Sequence, residues 1–554
     1  MQRCLQVPEL VNLFCSHLYE AKSPHSRRSP NVGSCAGLGD LAVLAVTAKI
    51  FSRHALALMW NSVTFEILLR CLPTDCYESF MMHSVIYSSG HDKEERTSEV
   101  IDMIRPLDES DFERIRIYAP FIRNLWCGDE KSKFLPSTLP WFHDNPLPNL
   151  RGLYWMHGES DFHHIQFFLS PRITTLHIGH PSLAALTFLL ALPRRFPQLA
   201  YLALFTELDG VPSLEISAVP TVSACLRGLH AIESLTLATD TLDAPALEHL
   251  ARLRIPSLRH LDVSGVPADL KPLGGEKAYF ASLRALHFTS DIQSACRFLE
   301  WCPQKLALAK FSAEISEAAT AQEVQHMLSV AVGGIVDSSL RDFSLHNANT
   351  TGLDSTVHLI SSSSLRTLFA FTNMTSVVIE SAFGIDVDDA TVTDMARTWP
   401  RIERLELRSY RGTPNPRATL QCLEVLAKEC PRLTHLGIAL DASSVPKLRL
   451  GVRGKGSSTS TSTSLRHLDV GASPISRPTS VAKWMKHFFP RLLGIKTLTD
   501  ELELKKGQSE ASEGLVDGTV RYGRHWKKVL NILSESRNSE WDGWGFGYVQ
   551  IAPK

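Results

Sequence analysis

A short apolar pattern returns along most of this chain, and it constrains the fold more than any other feature. A bulky residue, a proline, one free position and then leucine or isoleucine open it. It reads Leu147-Pro-Asn-Leu150, Phe196-Pro-Gln-Leu199, Ile255-Pro-Ser-Leu258, Trp399-Pro-Arg-Ile402, Cys430-Pro-Arg-Leu433 and Phe489-Pro-Arg-Leu492, with Cys302-Pro303 as a variant. An L-x-x-L-x-L stretch usually follows, as at Leu199/Leu202/Leu204, Leu258/Leu261/Val263, Ile402/Leu405/Leu407 and Leu433/Leu436/Ile438. The same stretch occurs without the proline at Ile173/Leu176/Ile178, Ile232/Leu235/Leu237, Leu283/Leu286/Phe288, Leu340/Phe343/Leu345 and Leu465/Leu468/Val470.

The spacing and the physics agree on one architecture. Pro148 and Pro490 lie 342 residues apart, which is about twelve intervals of roughly 28 residues, the period of leucine-rich repeats. Alternate residues of a strand face opposite ways, so the leucines of each stretch point to one side and the intervening positions to the other. The proline cannot continue a preceding helix. Helical patterns sit between the strands, for example Ala244 to Leu253 and Thr419 to Ala427. One such unit cannot bury its own apolar face, so the units must stack. The expected fold class is α/β, a curved leucine-rich-repeat solenoid over residues 147–500. The repeats lose regularity between about 305 and 400. Ser361–Ser364 and Gly454–Ser464 read as mobile low-complexity loops.

The flanks differ. In the first 62 residues, Val7-Pro-Glu-Leu10 opens a helix with proline and an acid in its first turn, and Leu10, Phe14 and Leu18 share a stripe. A polar insertion, 21–37, follows. A second helix is expected from an Asp40 N-cap, carrying Leu41, Leu44, Ala45, Ala48 and Phe51 and continuing towards Ala55, Leu58 and Trp60. Residues 63–146 read as a helical connector, with Glu94-Glu-Arg and Asp108–Arg116 as its charged helices. Residues 501–554 read as a helical cap for the array, with Trp526, Val529, Leu530 and Leu533 on one face. The terminal Trp541–Tyr548 run alternates aromatic with small or polar residues and suits an edge strand, a docked tail or an aromatic hook.

Composition narrows the function. Lys and Arg number 57 against 58 Asp and Glu, so the net charge is −1. A protein built to grip phosphate backbones needs a basic surplus, so nucleic acid is not an expected partner. The longest apolar candidate, Leu38–Met59, is broken by Asp40, Lys49, Arg53 and His54, which argues against a membrane span. The first residues lack the apolar core of a secretory leader. Eleven cysteines, scattered through apolar segments, fit buried thiols in a reducing compartment, the cytoplasm or nucleus.

Chemical motifs do not survive inspection. Gly37-x-Gly39-x-x-Ala42 lacks the preceding strand and the acid that a dinucleotide site needs. No phosphate loop and no nucleophile elbow is present. Asp386, Asp388, Asp389 and Asp394 resemble a calcium loop, but its glycine and glutamate positions hold Thr391 and Arg397, so they read as an acidic helix start. His163-His164, Cys71 and Cys76 lack zinc spacing. No enzyme activity, cofactor or metal is expected.

The N-terminal residues carry a resemblance. Leu5, Pro8, Glu9 and Leu10, then Leu41, Leu44 and Thr47, then Phe51, Ala55, Leu58 and Trp60 resemble an F-box. The opening is one residue shorter than the commonest form of that motif, and the 21–37 insertion splits it. With the segments Leu69–Pro73 and Ile117–Arg123 and the repeats behind them, the chain resembles the large F-box families of mushroom-forming fungi. That resemblance implies a substrate-recognition subunit of an SCF-type cullin–RING ubiquitin ligase. Leu5, Pro8, Leu10, Leu41, Leu44, Phe51 and Trp60 would then form or support the surface for a Skp-family adaptor. A repeat protein that binds partners outside any ligase is the other reading.

Recognition by the array would use the outward strand positions. These include Tyr154, His177, Tyr201, Phe205, His260, Asp262, His287, Asp342, His346, Arg404, Glu406, Arg408, His435, His467 and Asp469. Aromatic and arginine residues are the usual anchors of a protein interface, and six histidines on one face could make binding depend on pH.

Overall fold

A computed structural model describes residues 7–20, 38–87, 93–128, 146–447, 464–500 and 518–541, apart from 181, 206–211, 239, 254–257, 269, 272–278, 316, 318, 348–356 and 414. Two compact units divide the chain, Met1–Val263 and Ser264–Lys554.

The first unit opens with helices α1 (Pro8–Glu20), α2 (Leu38–Thr47) and α3 (Lys49–Met59). Val11, Cys15, Leu41 and Ala55 form their core, and Leu18, Leu44, Ala45, Phe51, Leu58 and Met59 pack around it. The strands are β1 (Ser62–Thr64), β2 (Tyr77–Tyr87), β3 (Lys93–Met103), β4 (Asn124–Cys127), β5 (Gly152–Trp155), β6 (Thr175–Ile178), β7 (Tyr201–Leu204), β8 (Ser234–Leu237) and β9 (His260–Val263). β2 and β3 pair only with each other, antiparallel. The other seven form a parallel sheet in chain order. Its register places Leu125, Leu153, Leu176, Leu202, Leu235 and Leu261 side by side, and each is at most 2% exposed.

The second unit repeats the design with β10 (Ala285–Ser290), β11 (Lys310–Ile315), β12 (Asp342–Asn347), β13 (Ile360–Ser361), β14 (Ser376–Ser381), β15 (Ile385–Asp386), β16 (Arg404–Ser409), β17 (His435–Ile438), β18 (His467–Asp469) and β19 (Gly494–Lys496). β13 and β15 pair as a separate small ladder. The other eight run parallel, with Leu286, Phe311, Phe343, Val377, Leu405, Leu436, Leu468 and Ile495 in one buried row.

The leading proline works as its chemistry demands. Phe196, Trp399, Cys430 and Phe489 each cap the helix before a strand, with φ between −129° and −118° and ψ between 62° and 73°. The residue before proline is pushed out of the helical region, so the helix stops there. That same residue then turns inward: all four are at most 1% exposed. Trp399 also donates its indole N–H to the Phe371 carbonyl at 2.8 Å, which removes the penalty of burying a polar group.

Several sequence expectations need correction. The array begins before residue 147, because β1 and β4 already belong to its sheet. Among the described residues it holds more strands than the twelve inferred, seven in one unit and eight in the other. Two of the extra strands, β1 and β4, precede residue 147, and the twelve intervals from β5 to β19 are bounded by thirteen strands, with inward residues 23 (Leu153 to Leu176) to 34 (Phe343 to Val377) positions apart. The 63–146 connector is only partly helical. Asp108–Arg116 does lie in short helices, but Glu94 lies in β3, paired antiparallel with Ile86 of β2. The helix expected from Asp40 to Trp60 is two helices, broken at Ala48, whose φ of −153° and ψ of 139° are extended; Asp40 sits inside the first turn of α2 and not at its cap. Ser361–Ser364 is no loop. Ser361 ends β13 and accepts the Ser364 N–H, capping the helix Ser362–Arg366. The acidic run at 386–394 is a helix start: Asp388 accepts the Thr391 N–H at 2.8 Å, and Asp386 pairs with Arg417 through two 2.7 Å contacts.

In the tail, the helix Thr519–Trp541 packs on the helix Pro478–Phe488. Trp526 and Val529 are fully buried there, and the Trp526 indole donates to the Ser473 carbonyl at 2.9 Å. Residues 454–463 and most of the Trp541–Tyr548 run lie outside the described residues.

Candidate protein-interaction surfaces

Two surfaces stand out. The first is on α1–α3. Val11, Cys15 and Leu18, at helical spacing, turn α1 towards the core. That leaves the other apolar residues without cover. Val7 just before α1, Leu10, Leu13 and Phe14 of α1, Val43 and Val46 of α2 and Ile50 of α3 are all exposed, Val46 to 86%. Single exposed leucines are ordinary, but seven large apolar side chains exposed on one small three-helix module make it a candidate docking surface.

The residues picked from sequence divide here. Pro8 and Leu10 are exposed. Leu41 is fully buried and can only support the surface from within. Leu44 and Phe51 are half-buried against the core, with Phe51 6.3 Å from the ring of Phe14. Trp60 stacks on Tyr118 at 4.1 Å and an interplanar angle of 4°. Leu5 lies outside the described residues. Leu13, Val43, Val46 and Ile50 were not identified from sequence, because a helix exposed on its apolar side has no polar stripe to mark that side.

The second surface is the outward side of the strands. In the first unit, one row runs Trp126, Tyr154, His177, Ala203, Thr236, Asp262 by register. Trp126 stacks on Tyr154 at 3.7 Å, and His177 meets Tyr154 edge-on at 5.9 Å. Burial among these rings pushes the His177 imidazole down to about 4, so it is neutral at physiological pH. The adjacent row carries Tyr201, 46% exposed, and exposed His260. Phe205 is the exception. It was expected on this face, but it is 1% exposed, because the chain turns at φ 59° just after β7 and alternation no longer applies.

In the second unit, the outward rows carry Asp342, Arg404, His435 and His467 in one line, and His287, Glu406 and Asp469 in the next. His435 and His467 stack at 4.8 Å. His287 lies 3.1 Å from the Thr289 hydroxyl. Beyond them, Arg408 is held by three carboxylates: Glu406 at 3.1 Å, Asp469 at 3.2 Å and Glu380 at 3.4 Å. Arg404 pairs with Glu406 at 2.9 Å. Glu406 is therefore buried and fully engaged, not the free surface charge that its strand position implies. Glu380 also accepts from Tyr410 at 2.5 Å and meets His346 Nδ1 at 2.9 Å. Burial alone would raise its carboxyl, but the hydrogen bonds from His346 and Tyr410 outweigh it and hold the group at about 2. Trp126, Glu380 and Tyr410 were absent from the sequence selection.

No helix among the described residues is long and apolar enough to cross a membrane. No protein-family model matches the sequence, and no curated protein matches it. One similar solved structure is the leucine-rich repeat-containing protein LegL7 from Legionella pneumophila, at 13% identity and a TM-score of 0.28, over 52% of this chain and 93% of that one. The repeat architecture rests on the register and burial of the strands themselves.

Proposed function

We propose that this chain is the substrate-recognition subunit of an SCF-type cullin–RING ubiquitin ligase, with α1–α3 as an F-box docking a Skp-family adaptor and the strand face holding a protein substrate. The exposed apolar set on α1–α3 carries the reading. A partner that covered Leu10, Leu13, Phe14, Val43 and Val46 would remove from water surface worth about 25 cal/mol per Å². The resemblance of Pro8–Leu10, Leu41–Thr47 and Phe51–Trp60 to the F-box supplies the identity of that partner. The chain itself needs no catalytic residue, cofactor or metal. It acts by raising the effective concentration of a bound substrate near a charged partner enzyme, in the cytoplasm, the nucleus or both.

A second reading has one observation behind it. Trp60 stacks on Tyr118, so α3 is anchored to the chain that follows it, and a helical module so anchored could serve only to cover the start of the array. The protein would then be a binding scaffold outside any ligase. Co-purification with a Skp-family adaptor separates the two. Wild-type protein should retain the adaptor, and Leu10→Glu with Val46→Glu should release it, because both side chains are exposed and neither supports the core. Failure of the wild type to bind, or full binding by the double variant, refutes the ligase reading.

A further inference from the structure

The strands of the second unit shorten along the sheet, and the shortening opens a cavity. β16 has six residues, β17 four and β18 and β19 three each. Pairing between β16 and β17 ends at Leu407 and Ile438, so Arg408 and Ser409 extend past their neighbour. The space beside them measures about 300 Å³. That is the low end of the range for small-ligand sites, room for one long side chain.

Its walls are of two kinds. Leu407, Ile438, Ala439, Ala472 and Leu498 supply apolar surface. The charged side chains lining it are two carboxylates, Glu380 and Asp469, and one guanidinium, Arg408. Arg408 also pairs with Glu406, which it shares with Arg404, while Lys496 stands beside Asp469 in register without lining the space. The lining side chains themselves count two negative charges against one positive. Ser409 also lines the cavity, and its hydroxyl is buried with no hydrogen-bond partner among the described residues. A buried polar atom left unpaired in a native fold calls for a partner.

We infer that this cavity takes the cationic side chain of a lysine or arginine from a bound protein, its stem along Leu407, Ile438 and Leu498 and its head among Glu380, Asp469 and Ser409. An ammonium has three donors and no acceptor, which matches two carboxylates and a hydroxyl. Long basic side chains bury an apolar stem while presenting a charged tip, which matches the two kinds of wall. An anion would have to displace carboxylates already bound to Arg408. The inference rests on the substrate-recognition reading and specifies one feature of the substrate, an exposed basic residue.

Selection of a displayed random hexapeptide library on the immobilised full-length protein tests it. Lysine or arginine should be enriched about tenfold at one position, equivalent to about 1.4 kcal/mol. Ala439→Phe, which fills the cavity and spares the charges, and Asp469→Asn, which removes one charge and keeps the space, should each abolish the enrichment. Raising salt from about 0.05 to 0.5 M should weaken it in the wild type, a result that needs no variant. Selection of acidic peptides, no preference for basic residues, or enrichment that persists in Ala439→Phe overturns the inference. Adaptor co-purification reads α1–α3 alone, so loss of adaptor binding with the basic preference intact would refute the ligase reading only.

Discussion

Two histidines make the first unit sensitive to mild acid. Burial pushes His157 and His177 down to about 4 from an ordinary 6.5. For His157, Asp161 opposes the shift, and His180 and His164 reinforce it. The folded protein therefore keeps both rings neutral where the unfolded chain binds protons. Stability from this source is complete above pH 6.5 and is lost as the pH falls towards 4. At pH 5 the loss is about 2 kcal/mol per histidine and about 4 together, a large share of a marginal stability. Asp111, which Arg105 holds well below its usual range, adds acid sensitivity only below its ordinary 3.8, so the two windows separate. Hydrogen exchange of β5 and β6, corrected for intrinsic rates, should show the opening free energy falling between pH 7 and 5. His157→Gln and His177→Gln should each remove a similar share of that fall, and the double variant should keep only the part due to His164, which burial also lowers. An unchanged opening free energy at pH 5, or a slope in the double variant as steep as in the wild type, refutes the burial argument.

Two further outcomes are expected. The nine described cysteines are all buried, and burial raises the Cys225, Cys302 and Cys430 thiols to about 12. Native protein should therefore leave all nine unlabelled by an alkylating reagent that modifies them in denaturant, as mass mapping would show. Thr320→Ala should lower the stability of the second unit by about 1 kcal/mol in urea titration. It removes a capping box in which Thr320 accepts the Glu323 N–H and Glu323 accepts the Thr320 N–H at 2.8 Å.

The repeat was legible wherever leucine filled its positions and hidden wherever another buried residue did the same work. Ile122, Leu125 and Cys127 make the inward triad of β4, and Leu308, Phe311 and Ala313 that of β11. Met374, Val377 and Ile379 make that of β14. All nine residues are at most 2% exposed. Burial accepts cysteine, alanine, methionine or valine in a slot of the right size, whereas a search for leucine does not. Missing β14 also hid Glu380, and with it the carboxylate that joins His346, Arg408 and Tyr410. Phe205 failed for the opposite reason: alternation is a property of strand backbone, and it ended one residue too soon. On α1–α3 the helices were legible, but their two apolar sides were not told apart. The residues at 11, 15 and 18 and those at 7, 10 and 14 are both helical stripes, and only packing decides which is core.

This division explains why the near-neutral charge carries so little information. In both units the inward rows of the sheet are almost entirely apolar and interchangeable among apolar residues, so they fix the fold without fixing a partner. The outward rows hold the aromatic, histidine and ion-paired positions, and changing an exposed one of these touches no core packing. Arg404→Ala, for instance, removes a side chain that pairs with Glu406 from the solvent side, while Arg408 still engages the same carboxylate. A scaffold built in this way can vary its recognition surface at small cost in stability. The constraint concentrates instead where an outward residue has become buried, at Glu406 and Glu380, because an unpaired carboxylate there would be far more costly than a lost surface contact.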